Sequence, residues 1–255
     1  MPEVKRHKPG TFCWTDLTTS DLEGARVFYS ELFNWGLRES ESSDHTYTMM
    51  QAGGVDVVGM GQPPELHGPP AWLCMISVAD VDAAAAKVRE AGGVVHEGPF
   101  AVDDAGRMAV CADPSGATFG LWEAGIHQGA GRVNEPSTPC WYELASRDTA
   151  ASAAFFKEVL GWEAQSGPMG GAVYTTFLRG PAPVAGMLAM TEEWGDAPSH
   201  WMVYFQVASC EETAQRAASL GGEVCVPPTE IAGVGRFAVI TDPQGAVFSI
   251  MQMHR

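Results

Sequence analysis

The words CWTDL at residues 13–17 and CWYEL at 140–144 each place a tryptophan two residues before a carboxylate, Trp14 with Asp16 and Trp141 with Glu143. On an extended strand, residues two apart share a face and lie about 6.6–7 Å from each other. A ring and an acid so placed can hold one molecule between them. The ring stacks on a planar group and the carboxylate pairs with a cation. A buried carboxylate is costly unless it has a partner. Arg107 and Arg236, each preceded by glycine at matching places, are candidate partners, either in a structural ion pair or shared with a substrate. Tyr47 and Tyr174 also match and either pack or donate hydrogen bonds. His200 and Tyr204, four apart on one strand pattern, share a face; His200 is either a satisfied strand-end histidine or a ligand contact.

The elements that position these residues come in two copies. From Cys13 to Cys140 the offset is 127 residues, and it also matches Phe28-Tyr29 with Phe155-Phe156 and Trp35 with Trp162. It further matches Tyr47 with Tyr174 and Gly59-Met60 with Gly186-Met187. After a two-residue insertion the offset is 129, matching Trp72 with Trp201 and DPSGATF at 113–119 with DPQGAVF at 242–248. A long internal repeat governs the reading of a chain. Domains are expected over 1–125 and 137–255, with a Gly- and Pro-rich linker over 126–136.

Each half repeats a smaller pattern. An alternating strand precedes LEGARVFYSELF, which has apolar residues at helical spacing and Ser20 or Asp21 placed to cap it. Two further strands follow. A new strand, AWLCMISV, then leads to VDAAAAKVREAGG, a helix closed by glycine. The DPxG words are tight turns between strands. The reading is β-α-β-β-β, four times over, an α+β chain.

The chain has 255 residues, 45% of them apolar, a globular composition. A formal net charge of -16 disfavours nucleic acid and anionic membrane as partners. No apolar run is long enough to span a bilayer. MPEVKRHKPG carries basic residues with no apolar region after them, so it is not a standard signal peptide, and the expected compartment is the cytoplasm. Six cysteines without a CxxC are expected to be reduced.

The order of a strand, an Asp-led helix with FYSELF, DVDAAAAKVREAGG and DPSGATFGLW resembles the vicinal oxygen chelate superfamily of glyoxalases, extradiol dioxygenases and bleomycin-resistance proteins. GRMAVCADPSGA and GRFAVITDPQGA are similar to a tandem actinobacterial subgroup labelled glyoxalase-like or hydroxylase. The resemblance implies two glyoxalase/bleomycin-resistance-like domains whose mixed sheets curl into cups, with helices outside and ligand or metal inside. It places Phe12, Trp14 and Asp16 in the first cup and Pro139, Trp141 and Glu143 in the second, with Cys13, Thr15, Leu17, Cys140, Tyr142 and Leu144 on the other face. The family's metal-ligand positions then fall on Trp14 and Trp141, near Leu73 and Met202, near Met60 and Met187, and on Gly120 and Ser249. None is a good ligand for a divalent ion. His7, His45, His67, His96, His127, His200 and His254 share no place between the repeats. A register slip of two residues would instead turn His200 and Glu143 into the second cup. Met60, Met187, Met202 and Met251 would supply a soft wall.

The expectation is a binding protein without a metal cofactor. Its ligand would be a small aromatic or cationic molecule, held by Trp14, Asp16, Tyr47, Arg107, Trp141, Glu143, Tyr174, His200, Tyr204 and Arg236, in a monomer or weak homodimer. The alternative is an enzyme, a glyoxalase-like lyase or a hydroxylase or dioxygenase, with a divalent metal at an atypical site or with a carboxylate as acid and base.

Overall fold

Each α-helix among the described residues begins on a side chain that accepts a hydrogen bond from its own first turn. Asp21 accepts from Gly24 N, Asp80 from Ala83 N, Asp148 from Ala151 N and Ser209 from Glu212 N. These caps stop the preceding strand and fix where the helix starts. The computed structural model of the chain describes residues 3–39, 46–66, 68–169 and 171–254, so His45 and His67 lie outside the described residues.

The first half runs β1 (Phe12–Thr18), α1 (Leu22–Phe33), β2 (Gly36–Glu39), β3 (Thr46–Ala52), β4 (Val55–Gln62), β5 (Ala71–Ser77), α2 (Val81–Glu90), β6 (Val94–Val102), β7 (Gly106–Ala112) and β8 (Thr118–Ala124). The second half runs β9 (Pro139–Ser146), α3 (Thr149–Leu160), β10 (Glu163–Met169), β11 (Ala172–Arg179), β12 (Ala182–Ala189), β13 (His200–Gln206), α4 (Cys210–Ser219), β14 (Glu223–Ile231), β15 (Gly235–Thr241) and β16 (Val247–Met253). Each half forms one curled eight-stranded sheet, ordered β2-β3-β4-β1-β5-β8-β7-β6 and β10-β11-β12-β9-β13-β16-β15-β14. The two orders correspond strand for strand, as the repeat requires. β1 pairs parallel with β4 and antiparallel with β5, and β9 does the same with β12 and β13.

The helix-bearing faces of the two sheets share one core, which includes Phe28, Phe33, Tyr142, Phe155, Phe205 and Phe248. Phe12 stacks on Tyr142 at 4.0 Å between ring centres, and Thr15 Oγ lies 3.1 Å from Tyr142 Oη. The turn aspartates join the halves. Asp242 Oδ1 accepts from Gln244 N and Ala246 N within its turn, while its Oδ2 accepts from Tyr29 of the first half at 2.9 Å. Asp113 does the same, accepting from Ser152 of the second half. All six cysteines are free, and no helix among the described residues is long and apolar enough to cross a membrane.

Two placements differ from strict alternation. Phe12 belongs to the shared core while Cys13 packs with Trp14 in the first cup, and Cys140 rather than Pro139 lines the second. The cause is a register shift at Phe12/Trp14 against β5 and at the matching place against β13, where a bulge moves one residue to the other face. Met60 and Met187 also lie in the shared core, at 0% and 1% exposure, rather than in the cup wall.

Candidate functional site in the second cup

The inner face of the second sheet encloses a cavity of about 560 Å³. Its floor is built from Trp141 and Glu143 on β9, Tyr174 on β11 and Tyr204 on β13. Register dictates the convergence. Met202 pairs with Glu143 and Tyr204 with Trp141 across β13 and β9, while Gly186 of β12 lies beside Glu143 on the other side. Glu143 Oε1 accepts from the Tyr204 hydroxyl at 2.7 Å and Oε2 from the Tyr174 hydroxyl at 2.7 Å. Trp141 Nε1 donates to Tyr174 Oη at 2.9 Å. Gly186 makes this chain of bonds possible, since a Cβ there would stand 1.7 Å from Tyr174 Oη.

Burial pushes the Glu143 carboxyl above its usual range, against the pull of the Tyr204 and Tyr174 hydroxyls. Burial, then the charge of Glu143, pushes both tyrosines up. Met202, Phe237, Val239 and Met251 contribute to an apolar wall, and among the described residues no lysine or arginine lines the cavity. Ser249 Oγ is fully buried at the wall, facing the Tyr204 hydroxyl. His200 and Trp194 stand at the cavity with ring centres 5.9 Å apart, and His200 Nδ1 bonds to Pro198 O.

The two arginines expected beside the carboxylates are elsewhere. Arg107 pairs with Asp82 of α2, and Arg236 with Glu211 of α4 and Glu230 of β14. They sit on the helix side of their strands, where acidic first turns attract them. Tyrosines do the work that these arginines were assigned.

The first cup carries the same word in a closed form. Trp14 Nε1 donates to Asp16 Oδ1 at 2.9 Å, and the Tyr47 hydroxyl donates to the same oxygen. Burial pushes the Asp16 carboxyl up to about 6. The linker lies across this floor. The His127 ring meets Trp14 edge-on at 4.4 Å, and its backbone carbonyl accepts from Trp122 Nε1. Ala130 N donates to Cys13 O, Gly131 N donates to Asp56 O, and His7 Nε2 lies 2.9 Å from Ala130 O. Trp14 is left 2% exposed. Trp122, which fills this cup, stands where the second half has the cavity-lining Met251. Trp14, Asp16 and Tyr47 are thus brought together as the sequence suggests, but beneath the chain itself.

The positions at which the family resemblance puts metal ligands do not fit a resident divalent ion in the second cup. Trp141, Met202 and Ser249 line the cavity, and the β12 position beside Glu143 is Gly186. Indole nitrogen donates only, and thioether and hydroxyl do not form the oxygen and nitrogen set that Mn or Fe takes. Glu143 and His200 do share the cavity, but both Glu143 oxygens already accept from tyrosines, and among the described residues no three His, Cys, Asp or Glu side chains assemble a site.

The model of the Glyoxalase/Bleomycin resistance protein/Dioxygenase superfamily matches residues 11–121 and 140–250. The chain belongs to this superfamily. "Putative glyoxylase CFP32" of Mycobacterium tuberculosis (strain CDC 1551 / Oshkosh) is 39% identical over 258 residues, covering 99% of this chain and 98% of its own. "Anthracycline biosynthesis protein DnrV" of Streptomyces peucetius is 33% identical over 268 residues, covering 98% and 96%. Among solved structures, the Mn(II)-bound glyoxalase from Novosphingobium aromaticivorans superposes with a TM-score of 0.65 at 18% identity, over 96% of this chain and 82% of that one. The 2,3-dioxygenase LapB from Pseudomonas sp. KL28 gives 0.66 at 14%, over 100% and 94%. At these identities the structures show a shared fold.

Proposed function

We propose that the chain binds one small, planar, largely apolar molecule bearing an amine or another hydrogen-bond donor, in its second cup and without a metal. The observation that carries this is the Glu143–Tyr174–Tyr204 floor under an apolar cavity. Both tyrosine hydroxyls spend their protons on Glu143, so what the floor still offers a ligand is lone pairs. Such a floor suits a donor, and with no lysine or arginine in the wall among the described residues it disfavours carboxylates and phosphates. Trp141 supplies a face for stacking or for a cation. The name of the DnrV relative, an anthracycline biosynthesis protein, supports a fused-ring aromatic ligand.

The test is a fluorescence titration with 9-aminoacridine, a planar cation at neutral pH. Glu143→Gln should weaken binding by about 1.5–3 kcal/mol, the worth of a charged hydrogen bond. Equal affinity in the two proteins removes Glu143 from the site.

A second reading is an acid–base enzyme, in which Glu143 moves a proton. It is favoured by the upward push on a carboxyl that touches two tyrosine hydroxyls, since perturbed groups cluster at functional sites. The CFP32 name points to glyoxalase-like chemistry. Against it, a glutathione adduct carries carboxylates, and among the described residues the cavity has no lysine or arginine to meet them. Incubation with methylglyoxal and glutathione separates the two readings: a Glu143-dependent thioester product establishes the enzyme.

A further inference from the structure

Arg147 immediately follows β9, the strand that carries Trp141 and Glu143. Its guanidinium is spent on the backbone of the loop between β12 and β13. Nη1 donates to Thr191 O at 3.1 Å, and Nη2 donates to Gly195 O and to Ala197 O, the latter at 3.0 Å. Its backbone N–H donates to Ser199 Oγ at 3.0 Å. The clamped loop contains one 3-10 turn, Glu192–Trp194, followed by Gly195 at φ 53. Gly195 O and Ala197 O lie past the end of this turn, and a planar guanidinium can take several carbonyls at once. The clamp leaves Trp194 38% exposed, beside His200 and over the cavity.

The repeat supplies an independent observation. At the 127-residue offset the place of Arg147 is held by Ser20, and the matching first-half loop, PPELHGPP at 63–70, is shorter and has no tryptophan. Clamp and ring therefore occur only in the half whose cup is open. In the other half the linker and His127 cover the floor instead.

We propose that Trp194 is the specificity-determining wall at the mouth of the second cup, and that Arg147 is the positioning residue that holds it there. The proposal rests on the binding reading above and adds the size of ligand that the site prefers. A molecule too short to rise from the Glu143 floor to the mouth gains nothing from Trp194, whereas a fused-ring cation touches both. Stacking against an indole is then an increment that only longer ligands collect.

The experiment compares two probes, 9-aminoacridine and the single-ring benzylamine, by calorimetry on the full chain. Trp194→Ala should weaken 9-aminoacridine about tenfold while moving benzylamine less than about twofold, and Trp194→Phe should restore most of the difference. Arg147→Met should reproduce the Trp194→Ala pattern and Arg147→Lys should recover part of it, with no matching change in melting temperature. Should Arg147→Met not fold, the Trp194 variants decide alone. Wild-type protein that binds neither probe overturns the binding reading itself. Wild-type protein that binds 9-aminoacridine through Glu143, with Trp194→Ala keeping the wild-type ratio of affinities, overturns this proposal only.

Discussion

Replacing Gly186 by alanine should break the floor of the second cup without touching any of its polar residues. A Cβ at 186 would lie 1.7 Å from Tyr174 Oη, 2.4 Å from its Cζ and 3.0 Å from Trp141 Nε1. The ring must retreat by more than an ångström to reach an ordinary contact. Its 2.7 Å bond to Glu143 and its 2.9 Å bond from Trp141 are then lost. A bond to a charged group is worth about 1.5–3 kcal/mol and a neutral one about 0.5–1.5. Alanine returns about 0.4–1 kcal/mol by restricting the unfolded chain. The net loss is about 1–4 kcal/mol, several degrees of melting temperature in a chain of this size. The assay is urea unfolding of Gly186→Ala in two backgrounds, wild type and Tyr174→Ala. With the ring gone, most of the alanine penalty should vanish. An equal penalty in both backgrounds would show that Gly186 serves the backbone, and the account of why this strand carries glycine would be wrong.

In the first cup, Asp16→Asn should remove one contribution to the dependence of stability on pH. Its carboxyl is pushed from 3.8 to about 6 in the folded chain. The stabilisation from its bound proton is therefore complete below 3.8 and lost as pH rises through about 6. That difference corresponds to about 3 kcal/mol. Urea midpoints between pH 3.5 and 7 should fall less with rising pH in the variant than in wild type; identical slopes would contradict it. Calorimetry should find one 9-aminoacridine per chain despite the duplicated word, since the linker covers Trp14; two equivalent sites would show that the linker opens. Iodoacetamide at about pH 8 should label the exposed Cys225 first and Cys140 only after unfolding, because burial pushes the Cys140 thiol up to about 12 and the thiolate is the reactive form. Peptide mapping that finds Cys140 labelled first would contradict this environment.

The fold was legible because each of its signals is local and comes twice. Alternation marks β1 and β9, Asp or Ser starts the helices, and the two DPxG turns stand at one offset. The acid and ring of the second cup were legible for the same reason, and so was Tyr174 at the place of Tyr47. What the sequence hid depends on contacts between distant elements. A bulge moved Cys13 and Cys140 to the inner face and Phe12 to the core. Arg107 and Arg236 answered to acids on α2 and α4 rather than to the strand carboxylates. Met60 and Met187 were one residue out of phase with the cup, where Gly59 and Gly186 make room for tyrosine hydroxyls. That the linker would cover one cup and leave the other open has no periodic signature. The nearest clue is Trp122 standing in place of Met251.

The claim that the second cup binds its ligand through side chains alone is tested most directly by one paired measurement. The dissociation constant for 9-aminoacridine is determined by calorimetry before and after exhaustive dialysis against a chelator, with metal content measured on the same samples. The account predicts one affinity in both samples, weakened to the same extent by Glu143→Gln in each. Binding that disappears with the chelator and returns with added Mn or Fe would contradict it.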